Sequence, residues 1–232
     1  MHRPNFRDLL LASAVVATAT LVSAHGDVNP QPVDTAGLPD IGEEWLTENP
    51  YRAETAGEDV WLKAVQIGAS GYNQNCARCH GLEVISGGLA PDLRFLEAEE
   101  YGDEWYVERF RVGYTQNGVT KMPAFGELLG QEAAWAIRTY IETRPDDYAM
   151  QDFSDELKAM RDQLVAYGDD TTGADPDALK ARLAEIAVEI PTLSGAPVAD
   201  SVAFRAASLI DGTPEAYVAA AETLTIGLSA AQ

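Results

Sequence analysis

The feature that most constrains this 232-residue chain is a five-residue run, Cys76-Ala77-Arg78-Cys79-His80, which holds the only two cysteines in the sequence. Two thiols three positions apart sit on one turn of backbone, and the next residue projects an imidazole from that turn. Three chemistries use such a run. A redox disulfide calls for a pair that follows a strand in a βαβ setting, and no strand alternation precedes this one. A structural zinc ion needs about four ligands. The run supplies three, and His25 is the only other histidine beyond the leader described below. The third chemistry is covalent haem attachment, in which the thiols add across the two vinyl groups of a haem lying against the turn and His80 offers its imidazole to the iron. The pattern therefore reads as one covalently held haem c, with Cys76, Cys79 and His80 as its attachment residues.

A second axial ligand must come from elsewhere in the chain. Beyond the leader there are three methionines, Met122, Met150 and Met160. Met122 lies in Lys121-Met122-Pro123-Ala124-Phe125, between two expected helices, and Pro123 stiffens the segment that aims its sulfur. A neutral thioether favours ferrous iron relative to a second imidazole and raises the potential. Met150 and Met160 read as packing residues. With His80 and Met122 both bonded to iron, small oxidants have no easy access, which argues for electron transfer over catalysis.

The rest of the chain divides by texture. Residues 1–24 read as a secretory signal: Arg3 and Arg7, an apolar run from Leu9 to Val22, and the small-x-small site Val22-Ser23-Ala24. That run is short for a membrane span, which takes about 20 residues, so no stable insertion is expected after cleavage and the location reads as periplasmic. Residues 25–57, with four prolines, read as an extended arm. Residues 58–148 hold the motif and are expected to begin with a helix from Glu58 that runs into Cys76. A loop over 81–101 follows, then a helix capped by Asp103 that carries Trp105, Tyr106 and Phe110. A second loop over 113–130 leads to a helix with Ala133, Ala136, Ile137, Tyr140 and Ile141 on one side, stopped by Pro145. Residues 149–232 read as an acidic helical extension. Leu157, Met160 and Leu164 mark one helix, and Asp175-Pro176 opens another with Leu179, Leu183, Ile186 and Ile190 in register. Two further helices are expected over 200–210 and 214–227. The fold class is all-α.

Charge narrows the partners. The formal net charge is −21; the leader carries +1, and the rest is shared evenly, −11 over residues 25–145 and −11 over 146–232. Neither part is built to neutralise phosphates, so nucleic acid is excluded as a partner class. A field of this sign keeps the chain soluble and steers encounters with positively charged surfaces.

Residues 59–144 resemble the class I cytochrome c family. Gly68, Tyr72 and Cys76 stand at four-residue steps, as the glycine and aromatic of that family's first helix do, and Tyr140 in Trp135-Ala136-Ile137-Arg138-Thr139-Tyr140 matches their partner on the last helix. The resemblance implies close helix crossing at Gly68 and aromatic packing by Tyr72. It also implies that Pro91, in Gly88-Leu89-Ala90-Pro91-Asp92-Leu93, offers its carbonyl to the imidazole N–H of His80. A narrower resemblance covers residues 25–148, through His25-Gly26-Asp27-Val28-Asn29-Pro30-Gln31-Pro32-Val33-Asp34, Gly71-Tyr72-Asn73-Gln74-Asn75-Cys76 and Ala134-Trp135-Ala136-Ile137. These stretches are similar to the soluble periplasmic cytochromes that accept electrons from quinoprotein (pyrroloquinoline quinone) alcohol dehydrogenases.

What the resemblance implies is a one-electron carrier, not an enzyme. Its donor would be such a dehydrogenase and its acceptor a downstream cytochrome or terminal oxidase. Two alternatives stay open on the sequence: a haem enzyme or sensor with weakly ligated iron, and a docking or assembly protein that works through the uncovered extension at 149–232.

Overall fold

The computed structural model describes residues 30–199 and 201–230; the expected leader, its cleavage site and His25 lie outside the described residues. Ten α-helices, two single-turn 3-10 helices (Leu82–Val84 and Leu93–Phe95) and one two-stranded hairpin are the regular elements of the described residues, so the architecture is all-α in character. The first core is built by α1 (Ala53–Ala56), α2 (Glu58–Asn75), α3 (Ala77–His80), α4 (Glu100–Val112) and α5 (Gly126–Glu142). In α2, Ala64, Ile67, Gly68, Gly71 and Tyr72 are buried, a stripe at the spacing that brings one helical face to a core. Glu58 and Asp59 in its first turn suit the positive end of the helix dipole.

The crossing of α2 and α5 is set by Gly68. A methyl group there would lie 1.9 Å from the carbonyl oxygen of Ala136 and 2.8 Å from Cβ of Tyr140, so only glycine lets the two backbones meet. Above the crossing, the rings of Tyr72 and Tyr140 pack with centroids 5.5 Å apart. The aromatic cluster continues through Tyr106, Phe110, Phe125 and Trp135.

Two local expectations are corrected. Asp103 does not cap α4, which starts three residues earlier, after Glu99. Its carboxylate is fully buried and takes hydrogen bonds from Arg138 Nε at 2.9 Å and Arg52 Nη2 at 2.8 Å. A tertiary ion pair has claimed a side chain of capping type. The span 113–130 is not all loop either. It holds β1 (Tyr114–Gln116) and β2 (Val119–Met122), antiparallel across Asn117-Gly118, and the first turn of α5 begins at Gly126. Both turn residues have positive φ, 52° and 74°, the geometry of the tight turn that suits right-twisted strands. Strand alternation was invisible because almost every residue of the hairpin is exposed on both faces.

A second core follows, formed by α6 (Asp147–Asp152), α7 (Ser154–Asp169), α8 (Pro176–Glu189), α9 (Val202–Leu209) and α10 (Pro214–Ala230). Leu157, Leu164, Leu183, Ile186 and Leu224 are fully buried in it, and Met150 and Met160 pack there too. Asp175 caps α8 by accepting from the Ala178 amide at 2.9 Å, with Pro176 at the first helical position.

The extended segment 191–199 joins the second core to the first. Pro191 O accepts from Asp146 N at 2.8 Å and Ser194 O from Ala98 N at 2.9 Å, while Ala199 N donates to Thr143 O at 3.0 Å. The hydroxyl of Ser194 donates to Glu142 O at 2.5 Å. The segment thus satisfies carbonyls at the end of α5 that a helix terminus leaves unpaired.

Candidate functional site

The site is assembled where α2 ends. Cys76 N still donates to Tyr72 O at 2.8 Å, and the amides of Cys79 and His80 both donate to Cys76 O at 3.0 Å. The five-residue run is therefore one tight turn capping a long helix. Tyr72, buried below the turn, donates its hydroxyl to Gly81 O at 2.8 Å. Asn75, just ahead of the first thiol, accepts from Gln31 N at 2.7 Å and donates to Gln31 O at 3.1 Å, which pins the arm across the helix end.

His80 Nδ1 lies 2.8 Å from Pro91 O. A carbonyl can only accept, so the proton sits on Nδ1 and Nε2 keeps a bare lone pair. Burial holds the His80 pKa below its ordinary value, opposed by the Pro91 hydrogen bond and the charge of Asp92. Burial, with Cys79 adding to it, pushes the Cys76 thiol up to about 12. Neither cysteine is in a disulfide. Among the described residues no three His, Cys, Asp or Glu side chains gather as a metal cluster. A haem fits this donor set: two free thiols on one turn for covalent attachment, and an oriented imidazole nitrogen for an axial bond.

Met122 is the last residue of β2, opposite Tyr114 across a shift in register between Tyr114 and Thr115. It is half-buried and packs against the same core as Cys76. The hairpin is anchored where it leaves and returns to α4. Arg109 lies over the rings of Trp105, at 5.6 Å, and Tyr114, at 5.3 Å, and Phe125 N donates to Phe110 O at 2.8 Å. The structure thus brings Cys76, Cys79, His80, Pro91 and Tyr72 into one hydrogen-bonded unit and sets Met122 on a braced hairpin packed on the same core.

Several residues that serve this unit were not picked out from the sequence. Arg94, only 4% exposed, bonds Asp92 and Asp147. Arg144 pairs with Glu83, and its guanidinium lies 5.2 Å from the Tyr140 ring centroid. Glu83 and Val84 both take positive φ, 57° and 66°, a costly conformation for a β-branched valine. The only local signal was an arginine two residues from an aspartate; the distant partners carry no sequence pattern.

Residues 63–141 match the family model described as cytochrome C oxidase, cbb3-type, subunit III. The chain is 51% identical over 143 residues to cytochrome c550 of Pseudomonas aeruginosa, which covers 62% of this chain and 97% of that protein. It is 31% identical over 84 residues to quinohemoprotein alcohol dehydrogenase ADH-IIG of Pseudomonas putida, 36% of this chain and 11% of that enzyme. The figure is 36% over 87 residues for quinohemoprotein alcohol dehydrogenase ADH IIB of the same species, 12% of its length. No solved structure matches the chain. The match that spans nearly all of cytochrome c550, on a helical turn with free thiols and a tautomerically fixed histidine, shows that this chain belongs to the c-type cytochromes and is an electron carrier rather than an enzyme.

Proposed function

We propose that the chain is a monohaem periplasmic carrier that takes single electrons from a quinoprotein alcohol dehydrogenase and passes them towards a downstream cytochrome or terminal oxidase. The single observation that carries the site assignment is the His80–Pro91 hydrogen bond beside two unpaired thiols on the same turn. In this reading Cys76 and Cys79 hold the haem through thioethers, His80 is the proximal ligand and Met122 the distal one. The haem supplies reversible one-electron exchange between ferric and ferrous iron. Pro91 orients the imidazole and makes it a stronger donor. Tyr72 locks the turn by bonding Gly81 O, and the bracing of the hairpin keeps the methionine sulfur in place.

The donor assignment rests on likeness. Short stretches of two quinohemoprotein alcohol dehydrogenases are similar to this chain, which supports a carrier that works beside enzymes of that class. Residues 1–24 would be removed on export. None of the described helices is long and apolar enough to cross a membrane. The division into an arm at 25–57, a carrier at 58–148 and an extension at 149–232 is part of the same proposal; the second hydrophobic core, built wholly from residues beyond 148, supports the boundary between carrier and extension.

The test is direct. The purified holoprotein is mixed with a quinoprotein alcohol dehydrogenase and its alcohol, and reduction of the haem is followed at its α band. Rapid reduction that depends on the alcohol is expected, whereas a haem reduced only by dithionite would remove the donor assignment. The near-infrared band of ferric iron bonded to a thioether should be present in the wild type and lost in Met122→Ala. Its persistence in that variant would move the distal ligand elsewhere.

A further inference from the structure

The loop that carries Pro91 is held at both ends by the segment leaving α5. Near its start, Glu83 pairs with Arg144. Near its end, Arg94 donates Nε at 3.0 Å and Nη2 at 2.7 Å to the two carboxylate oxygens of Asp92, and Nη1 at 2.6 Å to Asp147. The Arg94 amide also donates to Asp92 at 3.0 Å. Asp147 opens α6, and the extension fixes its place: Asp146 N bonds Pro191 O at 2.8 Å and Pro145 bridges Thr192. The guanidinium is 4% exposed, against 17% for Asp92 and 19% for Asp147, so these charges interact in a medium far less screening than water.

Asp92 directly follows Pro91, whose carbonyl accepts the His80 Nδ1 proton. A negative charge behind that carbonyl strengthens its pull on the proton and pushes electron density onto the imidazole. A positive charge does the reverse. The ordinary sum over the three groups is one net negative charge, two carboxylates against one guanidinium.

We propose that Asp147 and Arg94 are positioning residues for the proximal ligand, and that through Asp92 and the Pro91 carbonyl they let the C-terminal extension set the reduction potential of the haem. This rests on His80 being the proximal ligand. Removing the Asp147 charge leaves Arg94 less compensated, weakens the donation from His80 and favours ferrous iron. Removing the Arg94 charge leaves Asp92 bare behind the carbonyl and favours ferric iron. The exposed Asp152, at the far end of the same helix, carries the same charge as Asp147 but makes none of these bonds.

The experiment uses full-length holoprotein with Asp147→Asn, Asp152→Asn, Arg94→Lys, Arg94→Gln and the double change Asp92→Asn/Arg94→Gln. Redox titration gives the midpoint potential, and proton NMR of the ferric protein gives the hyperfine shifts of the His80 ring. The expected result is a raised potential in Asp147→Asn, a lowered one in Arg94→Gln, and a return towards wild type in both Arg94→Lys and the double variant. Asp152→Asn should leave the potential unmoved, and the His80 shifts should change only where the potential does. Equal shifts in Asp147→Asn and Asp152→Asn would overturn the proposal, as would shifts of one sign in both single-charge variants. Should Arg94→Gln fail to fold, the contrast between Asp147→Asn and Asp152→Asn, isosteric changes of the same charge on one helix, decides alone. A wild-type protein without histidine-ligated haem would instead sink the ligand assignment, a separate and earlier failure.

Discussion

Replacing Gly68 by alanine puts a methyl carbon 1.9 Å from Ala136 O, 2.6 Å from Ala136 C and 2.8 Å from Tyr140 Cβ. Ordinary contact begins near 3.4 Å, so α2 and α5 would have to move apart by roughly the difference, and two of the three obstacles are backbone that cannot rotate away. Overpacking of this kind costs about 3 kcal/mol or more at its upper end. Alanine returns about 1 kcal/mol through its better helix propensity. The net loss is therefore about 2 kcal/mol or more. For a chain of this size each kcal/mol moves the midpoint by about 2–4 °C, which gives a drop of about 4–8 °C. Gly87 is the control: a Cβ there meets nothing within 4 Å, so Gly87→Ala should be neutral. Thermal unfolding followed by far-ultraviolet circular dichroism reads both. Equal midpoints for the two variants would refute the idea that a glycine contact sets the helix crossing.

Three further outcomes follow from the buried polar groups and the junction. Arg138→Met removes the fully buried cation beside Asp103 and Glu142 and leaves Arg52 as the one cation facing both carboxylates; taking one partner out of a buried ion cluster costs about 3–5 kcal/mol, readable by denaturant titration. Burial pushes the Asp92 carboxyl up, but hydrogen bonds and charge from Arg94 outweigh it and leave its pKa below the ordinary value. A depressed carboxylate contributes stability above its unfolded pKa of about 3.9 and loses it as pH falls through the folded value. Asp92→Asn should therefore flatten that part of the acid-unfolding curve and leave neutral pH behaviour close to the corresponding charge change alone. Cutting the chain after residue 148 removes the four hydrogen bonds from segment 191–199 to the first core. At about 0.5–1.5 kcal/mol each, the first core should lose on the order of 2–6 kcal/mol, readable as a lower midpoint by tyrosine and tryptophan signals.

The Cys76–His80 turn was legible because its two thiols and imidazole lie in one local run, whatever the rest of the chain does. Gly68, Tyr72 and Tyr140 were legible for a different reason: a helix crossing leaves its mark at helical spacing on both partners. The helices of the extension were readable for the same cause, with Leu179, Leu183 and Ile186 one turn apart. Asp103 misled because capping and tertiary ion pairing draw on the same side chain, and only the distant Arg138 and Arg52 decide between them. The hairpin was hidden because a strand exposed on both faces needs no alternation. Asp147 and segment 191–199 left no local trace, since their meaning lies in partners up to about a hundred positions away.

The central claim is that one haem is held covalently at Cys76 and Cys79. Intact-mass measurement of protein matured in a haem-ligating host, before and after treatment with an alkylating reagent, tests it most directly. The account predicts the chain mass raised by a single haem, with no thiol left to alkylate. A colourless protein at the mass of the bare chain, gaining two alkyl groups, would contradict it.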